Sequence, residues 1–122
     1  MGPPDNSVTH VLVCGGREYL DYRKLKETLD ALHEDTPIQV IIQGGARGAD
    51  AMAAKWARAA KIALTTFHAN WNKYGKSAGA IRNQQMLDIG KPDLVLAFPG
   101  GRGTADMAKR AGAYGVKLRV VK

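Results

Sequence analysis

Two stretches constrain this chain more than any others: Ala97-Phe98-Pro99-Gly100-Gly101-Arg102-Gly103-Thr104-Ala105-Asp106 and Gln43-Gly44-Gly45-Ala46-Arg47-Gly48-Ala49-Asp50-Ala51-Met52. Each follows an apolar run, gathers three glycines around an arginine and leads into an alanine-rich helical pattern. Laying Arg47-Gly48 on Arg102-Gly103 also sets Met52-Ala53 on Met107-Ala108, so the unit occurs twice. A strand that ends in such a turn and feeds a helix suits a bound phosphate, since backbone N–H groups reach a bulky anion best where no Cβ intervenes. Thr104 fits there as a hydroxyl donor or a helix cap. The plainer alternative is a turn that only joins strand to helix, and the second copy weighs against it. In a parallel sheet both turns lie at the carboxyl edge and can open onto one crevice.

The remaining signals alternate between strand and helix. Residues 8–14 are a β-rich run ending at Gly15-Gly16, which puts Arg17 and Glu18 at the sheet edge. Over residues 21–33, Leu25, Leu29 and Leu32 recur among charges, the pattern of an amphipathic helix that Thr36-Pro37 ends. Residues 38–42 are nearly all apolar, as suits a strand covered on both faces. Residues 48–60 predict an alanine-rich helix close to the sheet, with Trp56 in the core or at an interface, and residues 62–67 a third strand. A helix over 80–89 packs through Ile81, Met86 and Leu87, leaving Arg82 and Asn83 exposed in its first turn, where Arg82 can reach back to the crevice. A strand over 94–98, a helix over 104–114 and a strand over 117–121 follow. The expected fold class is α/β, a three-layer doubly wound sheet of five parallel strands in the order 3-2-1-4-5.

Residues 68–79 are polar, aromatic and basic, and about twice the usual connection length, which marks a functional loop. Gly75-Lys76-Ser77 looks like the tail of a Walker A loop, but that motif needs a glycine where this chain has Asn70, so an ATPase is rejected. Trp71, Lys73, Tyr74 and Lys76 read instead either as a lid that stacks on a base and pairs with phosphate or as a solvated surface loop.

With 122 residues the chain is expected to form one domain over 8–122, behind a disordered leader over 1–7 that lacks the pattern of a signal peptide. No apolar stretch is long enough to span a bilayer, and no membrane partner is expected. The lone cysteine, Cys14, excludes an internal disulfide and a multi-cysteine metal site, and its place in an apolar run suits a buried thiol in a reducing cytoplasm. The net charge of +7 favours phosphate-bearing partners, nucleotide or nucleic acid.

Pro99-Gly100-Gly101-Arg102-Gly103-Thr104 resembles the Pro-Gly-Gly-x-Gly-Thr signature of the LONELY GUY-type phosphoribohydrolases, once described as lysine decarboxylases. Arg82-Asn83-Gln84-Gln85-Met86 looks like their Arg-Lys-x-x-Met helix. The full order of motifs, with Cys14-Gly15-Gly16-Arg17-Glu18 and Gly79-Ala80-Ile81-Arg82-Asn83, is similar to the short YspA-like proteins of the SLOG superfamily. That resemblance implies a Rossmann-like domain binding a nucleotide or nucleotide-derived ligand, in a superfamily with both enzymes and ligand sensors. The hydrolases carry a glutamate three residues after the threonine that helps cleave the bond between base and ribose. The matching position here is Met107, and Asp106 sits one residue early, turned about 100° around a helix. Gly44-Gly45-Ala46-Arg47-Gly48-Ala49-Asp50 also resembles a segment of the DNA-processing protein A family, which implies single-stranded DNA as the alternative ligand.

The expected ligand-binding residues are therefore Gly15, Gly16, Arg17, Gly44, Gly45, Arg47, Gly48, Asp50, Arg82, Asn83, Pro99, Gly100, Gly101, Arg102, Gly103 and Thr104. The four arginines would supply charged hydrogen bonds to phosphate, or be solvated surface residues. Asp50 and Asp106 would meet ribose hydroxyls, or only complement a helix dipole. In an enzyme, Asp106 and Arg82 are the expected catalytic pair. No cofactor and no metal is expected, and related domains commonly dimerise through helices, which makes a homodimer the expected self-partner.

Overall fold

A computed structural model describes residues 9–122 of the chain, so the leader expected over 1–7 lies outside the described residues. One parallel sheet runs in the order β3-β2-β1-β4-β5, as the β-α alternation predicts. Its strands are β1 (Thr9–Cys14), β2 (Ile38–Gln43), β3 (Ala63–Thr66), β4 (Leu94–Ala97) and β5 (Lys117–Val120). The connecting helices are α1 (Tyr22–Asp35), α2 (Ala49–Ala59), α3 (Trp71–Tyr74), α4 (Ala78–Asp88) and α5 (Arg102–Tyr114).

Strand alternation divides the core into two layers. Val11 and Val13 of β1 pack with Leu25 and Leu29 of α1 and with Ala53, Trp56 and Ala57 of α2. Leu12 and Cys14 face the other way, onto Met86 and Leu87 of α4 and Met107 and Ala111 of α5. Full burial of a leucine such as Leu25 or Leu29 contributes about 1.5–3 kcal/mol. The small alanines of α2 let that helix sit close to the sheet, and Trp56 satisfies its indole N–H by donating to Asp30 at 2.8 Å. Register pairs Cys14 with Ala97 and Gln43 with Thr66. The loops after β1, β2, β3 and β4 therefore all leave the same edge of the sheet. No helix among the described residues is long and apolar enough to cross a membrane.

Several boundaries differ from the sequence expectation for definable reasons. The stretch 68–79 is not one irregular loop. The Asn70 side chain accepts from the Lys73 amide at 3.1 Å and caps α3, and a 3-10 turn (Gly75–Ser77) runs into α4. A four-residue helix is too short to show a period in sequence. Because α4 starts at Ala78, Arg82 and Asn83 stand beyond its first turn and are not exposed there: Asn83 is 5% exposed and Arg82 half-buried. Helix α5 starts at Arg102, so Gly101 is its cap and Thr104 lies inside the first turn without capping it.

Candidate functional site

The two glycine units, alike in sequence, differ in geometry. Gly48 is the cap residue of α2, whereas the cap of α5 is Gly101, two positions before the glycine that the sequence repeat aligns with Gly48. In the β2 unit the helix N-terminus is used internally. The Ala49 amide donates to the Gly16 carbonyl at 3.1 Å, and the Gly16 amide donates to the Pro99 carbonyl at 2.8 Å, stitching three loops together. A Cβ on Gly48 would collide with the Gly16 carbonyl, and one on Gly100 with Thr104 and the Gly16 amide. Gly48, Pro99 and Gly100 thus serve loop-to-loop packing and stand outside the walls of the two cavities at this edge.

The β4 unit is open. Gly101 and Gly103 have empty space where a Cβ would stand. Among the described residues the amides of Arg102, Gly103 and Thr104 donate no hydrogen bond, as the first turn of a helix leaves them. These three residues line a cavity of about 540 Å³ at the sheet edge, together with Gly15, Gly16, Arg17, Asp50, Trp71, Lys76, Arg82, Asn83 and Asp106. A second cavity, of about 410 Å³, lies beside it against the β2 loop and takes Gly44, Gly45 and Arg47. Arg17, Ala46, Trp71 and Arg82 belong to both walls. The two units thus open onto adjoining spaces with a shared wall at one edge of the sheet.

Arg82 is held rather than free. Its guanidinium donates to the Gly44 carbonyl at 2.6 Å and to the Phe67 carbonyl at 3.4 Å, tying the loops after β2 and β3 to α4. Burial pulls its pKa down, while the neighbouring Asp50 charge opposes that shift. Asp50 is 7% exposed and accepts from the Ala46 amide at 3.2 Å, closing its own loop. Burial raises its carboxyl above the ordinary value, against the pull of that amide and of Arg82.

Asp106 is similarly committed. It accepts from Arg110 at 2.7 Å and from the buried Asn83 at 3.0 Å, and Asn83 also donates to the Gly103 carbonyl at 3.2 Å. Burial pushes the Asp106 carboxyl up, but the hydrogen bonds from Arg110 and Asn83 outweigh it and hold the group below the usual range. Arg47, largely exposed, pairs with Glu18. Arg17 sits over the Trp71 ring, 5.8 Å from its centroid.

The four residues expected as a lid separate. Trp71 and Lys76 overhang the larger cavity, whereas Lys73 and Tyr74 turn to a small space beside Ile81 and Gln85, with the Lys73 ammonium over the Tyr74 ring. Sequence reasoning missed His68, which lines the second cavity, and Cys14 and Met86, which help line the first. His68 follows β3 at the carboxyl edge, the position that marks ligand sites in parallel sheets, and that signal could have found it. No group of three or more His, Cys, Asp or Glu among the described residues is placed to hold a metal ion.

A doubly wound parallel sheet with glycine-rich loops and a basic cleft on its carboxyl edge defines a Rossmann-like α/β protein. The chain belongs to the YAcAr family, the YspA, cpYpsA-related SLOG family, whose profile matches residues 9–74. It is 36% identical over 116 residues to the Gene 61 protein of Mycobacterium phage D29, covering 88% of this chain and 92% of that protein. Glycinamide ribonucleotide transformylase 1 from Symbiobacterium toebii shares the fold, with a TM-score of 0.56 at 18% identity. That likeness covers 95% of this chain but 52% of the transformylase chain, so this chain spans about half the length of that neighbour.

Proposed function

We propose that the larger cavity binds a nucleotide or nucleotide-derived ligand, its phosphate seated on the α5 N-terminus. The observation that carries this reading is the convergence of three unpartnered amides, from Arg102, Gly103 and Thr104, with the cationic side chains of Arg17, Lys76 and Arg102 on one cavity of about 540 Å³. Helix N-termini favour anions through both their free donors and their dipole, and that volume falls in the range of small-molecule sites. Trp71, half exposed at the cavity wall, offers a face for a base. Membership in a SLOG family supports the same ligand class. Gly101 and Gly103 leave open space at the cavity, while Gly15, Gly16, Gly44, Gly48, Pro99 and Gly100 let the surrounding loops pack closely. The buried thiol of Cys14 fits action in a reducing cytoplasm.

The chemistry is that of a binding or sensing domain. Met107, at the position of the hydrolase glutamate, is 0% exposed, and Asp106 is occupied by Arg110 and Asn83. A nucleoside monophosphate should therefore bind without release of its base. A thermal-shift panel of nucleotides, read beside a base-release assay, tests both statements. Stabilisation without free base is the expected result, and the absence of any shift across the panel would remove the nucleotide reading.

Arg17 stacked on Trp71, together with the net charge of +7, favours single-stranded nucleic acid as a second reading. Salt separates the two. A strand neutralised at several phosphates loses affinity with a log-log slope of about −0.7 per phosphate, so a slope near −3 or steeper for an oligonucleotide that outcompetes mononucleotides would favour the second reading.

A further inference from the structure

The second cavity is lined by the β2 loop and His68 rather than by the α5 N-terminus, and the nucleotide reading leaves it unused. Its polar character is cationic. Arg17, Arg47 and Arg82 line it together with His68, and it shares Arg17, Ala46, Trp71 and Arg82 with the larger cavity. The acidic groups beside it do not cancel this charge. Glu18 pairs with Arg47 in an exposed ion pair, which is weak in water and readily exchanged for another anion. Asp50, in the wall of the larger cavity, accepts from the Ala46 amide and offsets part of the charge of Arg82 and Arg17, so three guanidiniums stand against two carboxylates and the balance stays positive.

Gly45 also stands in this wall. It holds a positive φ of 75°, and a Cβ there would press on the His68 imidazole, so the loop backbone and the ring approach each other closely. The Gly45 amide is turned inward onto the Gln43 side chain at 2.6 Å. Among the donors at this cavity are the guanidiniums, which match phosphate oxygens in forked pairs.

We infer that the second cavity is a further phosphate subsite, and that the ligand carries two phosphate groups on either side of one nucleoside. This rests on the nucleotide reading of the larger cavity and specifies its ligand. One phosphate sits on the α5 N-terminus, the nucleoside crosses the shared wall at Trp71 and Arg17, and the second phosphate meets Arg17 and Arg47. A nucleoside 3′,5′-bisphosphate has that chemistry, and so does the 5′-phosphorylated end of a single strand.

Titration calorimetry on the full chain with adenosine 5′-monophosphate, adenosine 3′,5′-bisphosphate and a 5′-phosphorylated dinucleotide tests it. The bisphosphate should bind at least about tenfold tighter than the monophosphate. Arg47→Ala, at an exposed position, should weaken the bisphosphate far more than the monophosphate and close most of the gap between them, while Arg47→Lys should restore part of the difference. A dinucleotide that exceeds the bisphosphate, with the same dependence on Arg47, would assign the subsite to a strand end; the reverse order would assign it to a small molecule. Equal binding of mono- and bisphosphate, or equal weakening of both by Arg47→Ala, would overturn the second subsite while leaving the first intact. Binding of none of the three would overturn both.

Discussion

The Arg82 guanidinium of α4 donates to the carbonyl of Gly44 at 2.6 Å, in the loop after β2 and 38 positions away in the chain. One side chain thus fixes the exit of β2 against α4. It also lies beside Asp50, whose buried charge it helps to offset.

Replacing Arg82 should therefore act on folding before it acts on ligand. Arg82→Ala removes a charged donor from a buried carbonyl and leaves Asp50 with less compensation, a loss on the order of 1.5–3 kcal/mol. Urea denaturation should show a lower midpoint with an unchanged slope. An exposed arginine, as the sequence suggested, would give a change within about 0.5 kcal/mol.

What the sequence disclosed and what it hid divide along physical lines. Strand order and the shared carboxyl edge were legible because buried strands such as Ile38–Gln43 read as apolar runs and helices such as α1 as leucine repeats. The two glycine units were legible as strand-to-helix turns. Their unequal roles were not, because whether a glycine admits a ligand or another loop depends on partners far along the chain: Gly16 fills the space that Gly48 leaves, and nothing fills the space at Gly103. Burial of Arg82 and Asn83 was hidden for a related reason. The polar composition of 68–79 concealed α3 and the 3-10 turn that bring α4 in two residues earlier, and the partners that hold both side chains inward, Gly44 for Arg82 and Gly103 and Asp106 for Asn83, lie far along the chain.

Two glycine substitutions should move in opposite directions. Gly48 has a φ of 78° and no room for a Cβ, so Gly48→Ala should cost at least about 1–3 kcal/mol. Gly103 lies in the first turn of α5 with open space around it, so Gly103→Ala should stabilise by up to about 1 kcal/mol. Because that methyl would point into empty space at the cavity wall, the same variant should weaken nucleotide binding. Melting temperature and ligand-induced shift, measured together, check both halves.

Cys14 should be chemically silent in the native state. Its thiol is buried, and burial followed by the nearby Asp50 charge pushes its pKa up to about 12. The thiolate is the reactive form, so alkylation by iodoacetamide at about pH 8 should require unfolding. Rapid labelling of the folded chain would show the thiol to be accessible and ionised.

Met107→Glu, which would place a carboxylate where the hydrolases carry theirs, should fail to restore cleavage. Met107 is fully buried among Leu12, Leu87 and Ala111, and an unpaired carboxylate there costs several kcal/mol, comparable to the stability of a domain this size. The variant should lose its cooperative thermal transition, while Met107→Leu should cost less than about 1.5 kcal/mol. A folded Met107→Glu that releases base would mean that the side chain can turn out to the cavity.

The dependence of stability on pH should carry two opposed contributions from the two aspartates of the site. Asp50 has its carboxyl raised above the ordinary value of 3.8, chiefly by burial, so between 3.8 and the raised value the native state holds more proton than the unfolded chain. Stability from this group consequently falls as pH climbs through that window. Asp106 runs the other way. Burial pushes it up, but Arg110 and Asn83 prevail and bring it below 3.8, so its contribution is present above 3.8 and is lost as pH falls through the folded value. Asp30, held low by Lys26 and Trp56, adds to the same acid limb. Urea midpoints between about pH 2 and pH 7 should show Asp50→Asn flattening the decline above 3.8, because an amide occupies the site with no charge to bury. Asp106→Asn should shrink the loss below 3.8 without abolishing it, since Asp30 remains. If Asp50→Asn lowered every midpoint by the same amount, the Asp50 carboxylate would be fully compensated by Ala46 and Arg82, and the cost assigned to its burial would be wrong.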